Sequence, residues 1–484
     1  MIDDRPSQAV LREVPLRALS LAPFETLLGG RAVRELRAAA VQARGILAGR
    51  TFWNVNSTAA GGGVAEMLQT LVGYARGAGV DARWLVISGN PEFFAITKRL
   101  HNALHGAPGD GGTLGPVERR HYERTLAPAA DALRALVRPT DVVMLHDPQT
   151  IGLVPALREV GAHVIWRCHI GYEQIEGLVR AAWEFLDRWL HVAHALVFSR
   201  AAYAPASVPR TKLRVVAPSI DVFAVKNREM SPETVRAILG HIGLIARNGA
   251  RGVPGFTRQD GTAAVIARTA KVACEGPRPG SGVPLVVQVS RWDRLKDMAG
   301  VMQGFVEHVA PSVERAHLAL VGPDTEGVAD DPEGAATFEE CLARWRALPP
   351  AMRRRVSLVR LPMDDGEENA GMVNAIQRHA AVVVQKSLRE GFGLTVTEAM
   401  WKGRPIVASA VGGIQDQIRH RTEGLLVRDP ADLRAFGCAL RRLLEDERYA
   451  QLLGARARRR CIRHFLPPRH LRQYVELLTD LAEA

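Results

Sequence analysis

Short apolar runs separated by helix-like stretches constrain the fold of this chain more than any other feature. The first run, residues 51–55, is followed by consecutive glycines and then by apolar side chains at helical spacing up to Gly79. A second apolar run, residues 84–87, comes next, so the predicted order is strand, helix, strand. This order predicts that the two strands pair in parallel and that the helix covers one face of the sheet.

The same alternation continues along both halves of the chain. Further strands are predicted at residues 142–145, 164–166, 196–198 and 213–216, and then at 285–289, 318–321, 356–361, 381–384, 406–408 and 425–427. Because 484 residues exceed what one hydrophobic core usually serves, we predict an α/β protein with two Rossmann-like domains that face a cleft. The predicted domains are residues 1–222 and 223–467, and whether a last helix, 468–484, packs back on the first domain stays open.

Two segments lie outside this alternation. The first 50 residues are rich in Arg, Ala and Leu and are predicted to be helical. Residues 248–283 are rich in Gly, Pro and Arg, which favours an exposed loop or insertion over a core element.

Composition narrows the class of protein. No run of about 18 uncharged apolar residues occurs, so we expect no membrane span. The N-terminal residues lack the basic and apolar blocks of a signal peptide, which predicts a cytoplasmic protein. The five cysteines are scattered without a Cys-x-x-Cys pair, which argues against a disulfide framework and against a zinc site.

The net charge of +12 suits either an anionic small-molecule substrate or contact with nucleic acid or a membrane surface. The arginine clusters at residues 353–355 and 456–460 are interpreted as solvated helix faces, and no RNA- or DNA-binding motif accompanies the charge. We therefore predict no nucleic-acid partner.

The glycine loop after the first strand is not a known nucleotide motif. Its sixth residue is Glu66, which breaks the G-x-G-x-x-G pattern, and no Walker A motif occurs in the chain. Neither Asp-x-Asp nor His-Glu-x-x-His occurs either, so no bound metal and no cofactor are predicted. Gly62 and Gly63 then form either a tight turn or a backbone surface that approaches a phosphate or a sugar.

The most informative segment is residues 385–400, between a predicted strand and a predicted helix. Gly391 and Gly393 let backbone N–H groups point at an anion beside the start of a helix. Glu390 and Glu398 place two carboxylates around the same loop. An alternative interpretation of Thr395 and Glu398 is a helix-capping box, which would leave Glu390 and the glycines unexplained.

Other polar residues follow predicted strands in both halves. Arg291 and Lys296 come directly after the strand at 285–289, where they either neutralise a diphosphate or form a solvated basic loop. In the first half, residues 146–149 and 167–170 each close a strand, and their histidines are either functional or merely hydrogen-bonded. In open α/β sheets ligands bind at the carboxyl ends of strands, which is where all these residues fall.

Together, residues 291–296 and 390–398 resemble the retaining GT-B nucleotide-sugar glycosyltransferases of family four, whose hallmark is two glutamates separated by seven residues. Further blocks resemble the trehalose glycosyltransferring synthases within that family. They are residues 55–66, 146–149, 166–170, 219–221, 330–334 and 389–402, which occur in order between about residue 50 and residue 430.

The resemblance implies a role for each matching residue. On the donor side, Arg291 and Lys296 would hold the diphosphate, His169 would contact the sugar near the reacting carbon, and Glu398 would bind the ribose. Glu390 would bind the donor sugar's hydroxyls, together with the backbone of the loop that follows it. The remaining donor-binding positions are Gly62, Gly63, Gly391, Phe392, Gly393, Leu394 and Thr395. The candidates for the acceptor side are Asn56, Asp147, Gln149 and Arg167.

The implied reaction is transfer of glucose from an NDP-glucose to glucose, with retention of configuration, to form trehalose, and it could run in either direction. The alternatives are another sugar, sugar-phosphate or lipid-linked acceptor, or a non-catalytic protein that binds nucleotide sugars. A homodimer is left open. Two features depart from the family: Asp297 stands where a glycine usually follows the lysine, and residues 248–283 have no counterpart.

Overall fold

The chain folds into two compact units in a computed structural model that describes residues 10–59, 62–247, 252–325 and 332–483. One unit comprises Met1–Ser219 and Phe465–Ala484, and the other comprises Ile220–His464. We call them the first unit and the second unit.

The first unit is a seven-stranded sheet between helices. Its elements are β1 (Leu11–Glu13), α1 (Pro23–Leu27), α2 (Gly30–Ile46), β2 (Phe52–Asn56), α3 (Gly63–Gly77), β3 (Ala82–Ile87), α4 (Pro91–Leu104), α5 (Pro116–Leu136), β4 (Val142–His146), α6 (Val154–Val160), β5 (His163–Cys168), α7 (Gly177–Leu190), β6 (Ala195–Phe198), β7 (Leu213–Val215) and the C-terminal helix (Pro467–Glu483). The strand order is β1-β3-β2-β4-β5-β6-β7, and all neighbours are parallel except β1 and β3.

Side-chain alternation along the strands explains why helices cover both faces of this sheet. Successive residues of a strand point to opposite faces. Thus Val143 and Leu145 belong to one buried apolar cluster, with α4 to α7, whereas Val142 and Met144 belong to another, with α2 and α3. The C-terminal helix adds apolar side chains, including Tyr474, to the second cluster.

The second unit contains another seven-stranded sheet. Its elements are α8 (Pro232–His241), β8 (Gly255–Thr257), β9 (Ala263–Val265), β10 (Lys271–Ala273), β11 (Leu285–Val289), α9 (Met298–His308), β12 (His317–Pro323), α10 (Pro332–Arg346), α11 (Pro350–Arg353), β13 (Val356–Leu361), α12 (Gly366–His379), β14 (Val382–Gln385), α13 (Leu394–Trp401), β15 (Ile406–Ser409), α14 (Ile414–Gln417), β16 (Leu425–Val427), α15 (Leu433–Glu445) and α16 (Glu447–His464). The order is β10-β13-β12-β11-β14-β15-β16, with β8 and β9 as a separate hairpin.

These two Rossmann-like sheets confirm the predicted α/β class. Every strand that the apolar runs predict is present, and β11, β13 and β16 have the predicted bounds. None of the described helices combines the length and the apolar character needed to cross a lipid bilayer.

The two segments outside the alternation hold strands that composition did not reveal. In the predicted insertion, β10 pairs antiparallel with β13 at the edge of the sheet, and Phe256 and Ile266 are buried, with atoms close to Gly371 of α12. The expectation of an exposed loop is therefore wrong for part of residues 248–283. Near the N-terminus, β1 pairs with the edge strand β3, so the first 50 residues are not wholly helical. Each of these strands has three residues, too few for a recognisable period.

Within the arginine cluster at 353–355, Arg354 is exposed as predicted, but Arg353 and Arg355 are not part of a solvated helix face. The guanidinium of Arg355 donates hydrogen bonds to the carbonyl oxygens of Ala310, Val313 and Ala316. The Arg353 side chain forms an ion pair with Glu275 at 2.5 Å. Both arginines therefore join neighbouring segments. Arg355 does so by donating to carbonyl oxygens that would otherwise lack a hydrogen-bond donor.

Candidate active site

Two loops meet at the carboxyl edge of the second sheet. Strands β11 and β14 are parallel neighbours, so the segments that follow them lie side by side. The amide of Gln288, in β11, accepts a hydrogen bond from the backbone N–H of Lys386 and donates one to the carbonyl oxygen of Lys296. The backbone N–H of Leu388 donates to the carbonyl oxygen of Leu295 at 2.8 Å. The two loops are thereby fixed to each other by backbone contacts.

The centre of this region is an ion pair between Lys296 and Glu390. The lysine Nζ lies 2.8 Å and 2.7 Å from the two carboxylate oxygens, and the side chains are 17% and 9% exposed. Glu390 also accepts hydrogen bonds from the Ser387 hydroxyl at 3.1 Å and from the Gln385 amide at 3.5 Å. Both charges are held in fixed positions while part of each remains accessible.

The helix that follows starts at a glycine turn. Gly393 is the N-cap of α13 and has φ of +85°, a conformation that glycine adopts at little cost. The Thr395 hydroxyl donates to the amide oxygen of Gln385 at 2.8 Å, and no side chain caps the helix. The capping-box interpretation of Thr395 and Glu398 is therefore wrong. The N–H group of Val396 donates to the carbonyl oxygen of Gly393 at 3.0 Å. The first N–H groups of a helix generally have no acceptor within it, so we expect those of Leu394 and Thr395 to be available to an anion.

The side chain of Gln417 binds the backbone of this glycine turn. Its amide donates to the carbonyl oxygens of Phe392 and Gly393 at 2.5 Å and 3.3 Å, and its amide oxygen accepts from the Thr397 hydroxyl at 2.7 Å. Gln417 is itself fully buried. Gln417 therefore helps to hold the turn, together with the backbone N–H of Gly413, which donates to the carbonyl oxygen of Gly391 at 3.1 Å.

Asp297, the departure from the family pattern, is paired with a buried lysine. It has φ of +50°, the left-handed region that glycine favours and that aspartate tolerates. Its carboxylate accepts a hydrogen bond from the backbone N–H of Gly300 at the start of α9 and forms an ion pair with Lys386, which is 1% exposed. The negative charge beside Lys296 is thus compensated within the second unit.

Glu398 lies deeper, in a polar network. Its carboxylate accepts a hydrogen bond from the Gln377 amide at 2.9 Å and lies 3.8 Å from the Lys226 ammonium. Lys402 donates to the amide oxygens of Gln377 and Asn227 at 2.7 Å and 2.9 Å. Burial lowers the pKa of Lys402 to about 7, while Glu398 opposes that shift. Glu398 is 3% exposed, so its orientation is set by this network.

Arg291 stands apart from the ion pair at the centre. Its side chain is 52% exposed, and its guanidinium pairs with Asp293 at 3.1 Å. The structure therefore brings together Lys296 and Glu390 but leaves Arg291 at the surface of the loop.

A second polar cluster lies in the first unit, after β4 and β5. The Nδ1 of His146 lies 3.0 Å from the Nε2 of His169, and the Nε2 of His146 lies 3.2 Å from the amide oxygen of Asn54. Arg167 donates from Nε to the Nδ1 of His169 at 3.4 Å. Because Arg167 can only donate, His169 carries its proton on Nε2 and His146 carries its proton on Nε2. Burial, then Arg167, lowers the pKa of His146 to about 3 and that of His169 well below its usual value, so both rings are neutral.

The C-terminal helix completes this cluster from the far end of the sequence. Arg167 has no exposed surface and donates to the Nε2 of His470 at 2.9 Å, to the Tyr474 hydroxyl and to the carbonyl oxygen of Val216. His470 in turn bonds the Ser219 hydroxyl through Nδ1 at 2.9 Å. The guanidinium is thus held on all sides by the protein.

The remaining predicted residues of the first unit lie at the same edge of its sheet. Asp147 has φ of +62° and accepts a hydrogen bond from the backbone N–H of His169 at 2.8 Å, and burial raises its pKa to about 7. Asn56 is buried and bonds Trp84 and the carbonyl oxygen of Thr58. Gln149 is half-buried.

The glycine loop is described in part. Gly62 has φ of +98° and is the N-cap of α3, which begins at Gly63. Gly61 lies outside the described residues, as do residues 330–331 of the 330–334 block. Within the described ranges, no three His, Cys, Asp or Glu side chains come close enough to hold a metal ion.

Sequence reasoning missed the residues that support the site. Lys386 and Ser387 lie within the segment 385–400, but no role was predicted for them, although their place after a strand was a usable signal. For His470 no such signal exists, because it lies 303 positions from Arg167.

Comparisons with known proteins bear on the family and the fold of this chain. The family model "Trehalose synthase, N-terminal domain" matches residues 54–205, and "Glycosyl transferases group 1" matches residues 366–460. The trehalose synthase of Pyrococcus horikoshii is 32% identical over 95% of this chain and 96% of its own length, and that of Rubrobacter xylanophilus is 34% identical over 93% and 94%. A solved α,α-trehalose-phosphate synthase (UDP-forming) from Burkholderia vietnamiensis has a TM-score of 0.65 at 17% identity and covers 90% of this chain and 99% of its own.

The structural likeness shows the GT-B fold, and the sequence relatives carry the family. The predicted resemblance is confirmed. The chain belongs to the trehalose synthase family of GT-B glycosyltransferases and is a glycosyl-transferring enzyme.

Proposed function

We propose that this enzyme transfers glucose from an NDP-glucose to glucose, with retention of configuration, to form trehalose. The observation that carries the proposal is the Lys296–Glu390 ion pair beside the start of α13, in a chain that belongs to the trehalose synthase family. A diphosphate needs fixed positive charge, and a sugar needs hydrogen-bond acceptors. The second unit offers both at one edge of its sheet.

On this proposal the diphosphate lies against Lys296 and the first N–H groups of α13. The ammonium and the helix dipole stabilise the negative charge that builds up as the sugar–phosphate bond breaks. These groups are already oriented, so they need no rearrangement during the reaction. Glu390, whose charge Lys296 balances, accepts hydrogen bonds from sugar hydroxyls, and Glu398 accepts them from the ribose.

Retention follows if glucose attacks the oxocarbenium-like carbon from the face that the phosphate leaves. The departing phosphate oxygen then takes the proton of the attacking hydroxyl, so no separate protein base is required. Glycosidases that retain configuration use instead a carboxylate nucleophile about 5 Å from an acid. Glu390 does not fit that role, because its carboxylate is held by Lys296 on both oxygens.

The first unit offers acceptor groups at its own sheet edge. We propose that Asp147, Gln149 and Asn56 contact the acceptor sugar. Arg167 acts indirectly, because it has no exposed surface and donates to His169. It orients the imidazole that we expect beside the donor sugar.

The experiment is incubation with ADP-, UDP- or GDP-glucose plus glucose, followed by NMR identification of the product. An α,α-1,1-linked disaccharide supports the proposal, and its absence with every donor overturns it. Parallel reactions with glucose 6-phosphate and other acceptors identify a different acceptor if one is used. Binding of a nucleotide sugar without any turnover would instead indicate a non-catalytic protein.

Two further expectations stay predictions. Size-exclusion chromatography with light scattering measures whether the protein is a homodimer. Cell fractionation measures whether it is cytoplasmic.

A further inference from the structure

The second arginine cluster of the sequence lines a cavity that no part of the proposed reaction uses. The cavity has a volume of about 230 Å³. Its lining residues are Arg419, Thr422, Glu423, Arg456, Arg459, Arg460, Arg463 and His464, and we call it the arginine cavity. Since one water molecule occupies about 30 Å³ in the liquid, this volume admits several waters or a small anion.

Helix periodicity explains why the arginines converge. Arg456, Arg459, Arg460 and Arg463 recur at the spacing that places side chains on one face of α16. Arg419, from the segment after α14, faces the same cavity. The sequence-based interpretation of residues 456–460 as a solvated helix face therefore misses their common orientation.

The residues that line the arginine cavity include five arginines and one carboxylate, so positive side chains outnumber negative ones there. Its one carboxylate, Glu423, is 1% exposed and is engaged by the backbone N–H and the guanidinium of Arg419. Arg456, Arg459 and Arg463 have no hydrogen bond or ion pair with any described residue. Arg459 and Arg463 are exposed and Arg456 is half-buried, so water screens part of the repulsion between these like charges, and a bound anion would relieve the rest.

We propose that the arginine cavity binds the phosphoryl group of a small phosphorylated ligand. Guanidinium groups present planar forks of N–H donors that match phosphate oxygens, and several of them around one cavity can satisfy a doubly charged group. The ligand is distinct from the donor, because the cavity residues are not those of the Lys296–Glu390 region.

One cavity residue connects this site to the donor loop. Arg460 donates from Nε to the carbonyl oxygen of Gln417 and from Nη2 to that of Asp416, both at 2.8 Å. Gln417 is the side chain that holds the carbonyl oxygens of Phe392 and Gly393. An anion that draws Arg460 toward the cavity therefore alters the support of the glycine turn. Occupancy of the cavity and donor binding are expected to be coupled.

Binding is tested by isothermal titration calorimetry of the full chain with inorganic phosphate and, separately, with glucose 6-phosphate. The triple variant R456A/R459A/R463A should bind at least about tenfold more weakly, because it removes three groups that can donate charge-assisted hydrogen bonds to the phosphoryl group. The matched control R428A/R434A/R448A removes the same charge at exposed sites elsewhere in the second unit and should bind within about twofold of the wild type. If glucose 6-phosphate binds more strongly than inorganic phosphate, the ligand that supplies the phosphoryl group is a sugar phosphate.

Several results would overturn the proposal. They are no measurable binding to the wild type, equal weakening in both triple variants, or binding that is lost in Lys296→Ala, which would place the anion at the donor loop. This titration uses no donor and no turnover, so its failure is separate from failure of the proposed function.

The coupling rests on the proposed function and needs a second measurement. Saturating phosphate should change the dissociation constant of the preferred nucleoside diphosphate by at least about fivefold. The change should disappear in R456A/R459A/R463A, whereas simple competition at the donor loop would persist in that variant. An unchanged constant in the wild type would refute the coupling.

Discussion

Replacement of Asp297 by asparagine should destabilise the second unit by about 2–3 kcal/mol. Asparagine keeps the side-chain acceptor for the Gly300 N–H and tolerates the positive φ, so the change removes mainly the charge. What remains is the Lys386 ammonium, 1% exposed, without its carboxylate.

The magnitude follows from the burial of the two partners. Removal of one member of a fully buried ion pair costs about 3–5 kcal/mol, because the other charge is left in a medium of low polarity. Asp297 is 18% exposed, so water relieves part of this cost and we take a value of about 2–3 kcal/mol. Lys386→Met removes the buried charge itself and leaves a carboxylate that water can reach, so its cost should be smaller.

The assay is urea unfolding, monitored by hydrogen exchange in peptides from β11 and β14. Peptides from β4 of the first unit serve as the internal control. The double variant D297N/K386M should be no less stable than D297N, so the coupling energy between the two sites should be at least as large as the cost of K386M alone. If D297N stays within about 0.5 kcal/mol of the wild type, the value expected of a surface substitution, the buried-pair reasoning is refuted.

Three further predictions concern activity and pH. Lys296→Ala and Glu390→Ala should each lower turnover by about two to four orders of magnitude, because each removes a contact to the transition state; initial rates near those of the wild type would contradict the site. Lys402 has a folded-state pKa of about 7, below the value of about 10.4 for an exposed lysine, so the unfolded chain binds more protons between these values. In urea titrations, the free energy of unfolding of the wild type minus that of Lys402→Met should therefore rise from about pH 7 to about pH 10. A difference that does not change with pH would contradict this. Asp147 has a folded-state pKa of about 7, above the usual value of about 3.9, so the folded chain binds more protons between these values. Its contribution to the free energy of unfolding should therefore fall as the pH rises from about 4 to about 7. Asp147→Asn should abolish that fall, and an unchanged pH profile of stability in the variant would contradict this.

Sequence patterns predicted the sheet cores because burial on both faces leaves a plain signal. Four of the five residues of β11 and four of the six residues of β13 are apolar, so each strand stands out from the amphipathic helices around it. The two edge strands that pair antiparallel with their sheets carry no such signal. β1 and β10 have three residues each and are half-buried or exposed, and their pairing depends on the neighbouring strand.

The sequence predicts the part of the site in which residues follow neighbouring strands. It does not predict the contacts made by segments that are far apart in the sequence. Lys296 and Glu390 follow two strands that proved to be neighbours, which is why their proximity could be anticipated. Thr395 and Glu398 fit a local capping pattern, but tertiary partners took both side chains. The environment of Arg167 depends on His470 in the C-terminal helix, and no local pattern predicts that contact.

The most direct test of the account is a crystal structure with a bound nucleoside diphosphate glucose, grown with magnesium present. The account predicts diphosphate oxygens about 3 Å from the Lys296 ammonium and from backbone N–H groups at the start of α13, and sugar hydroxyls on Glu390. A diphosphate bound elsewhere, or bridged through magnesium to acidic side chains, would contradict it.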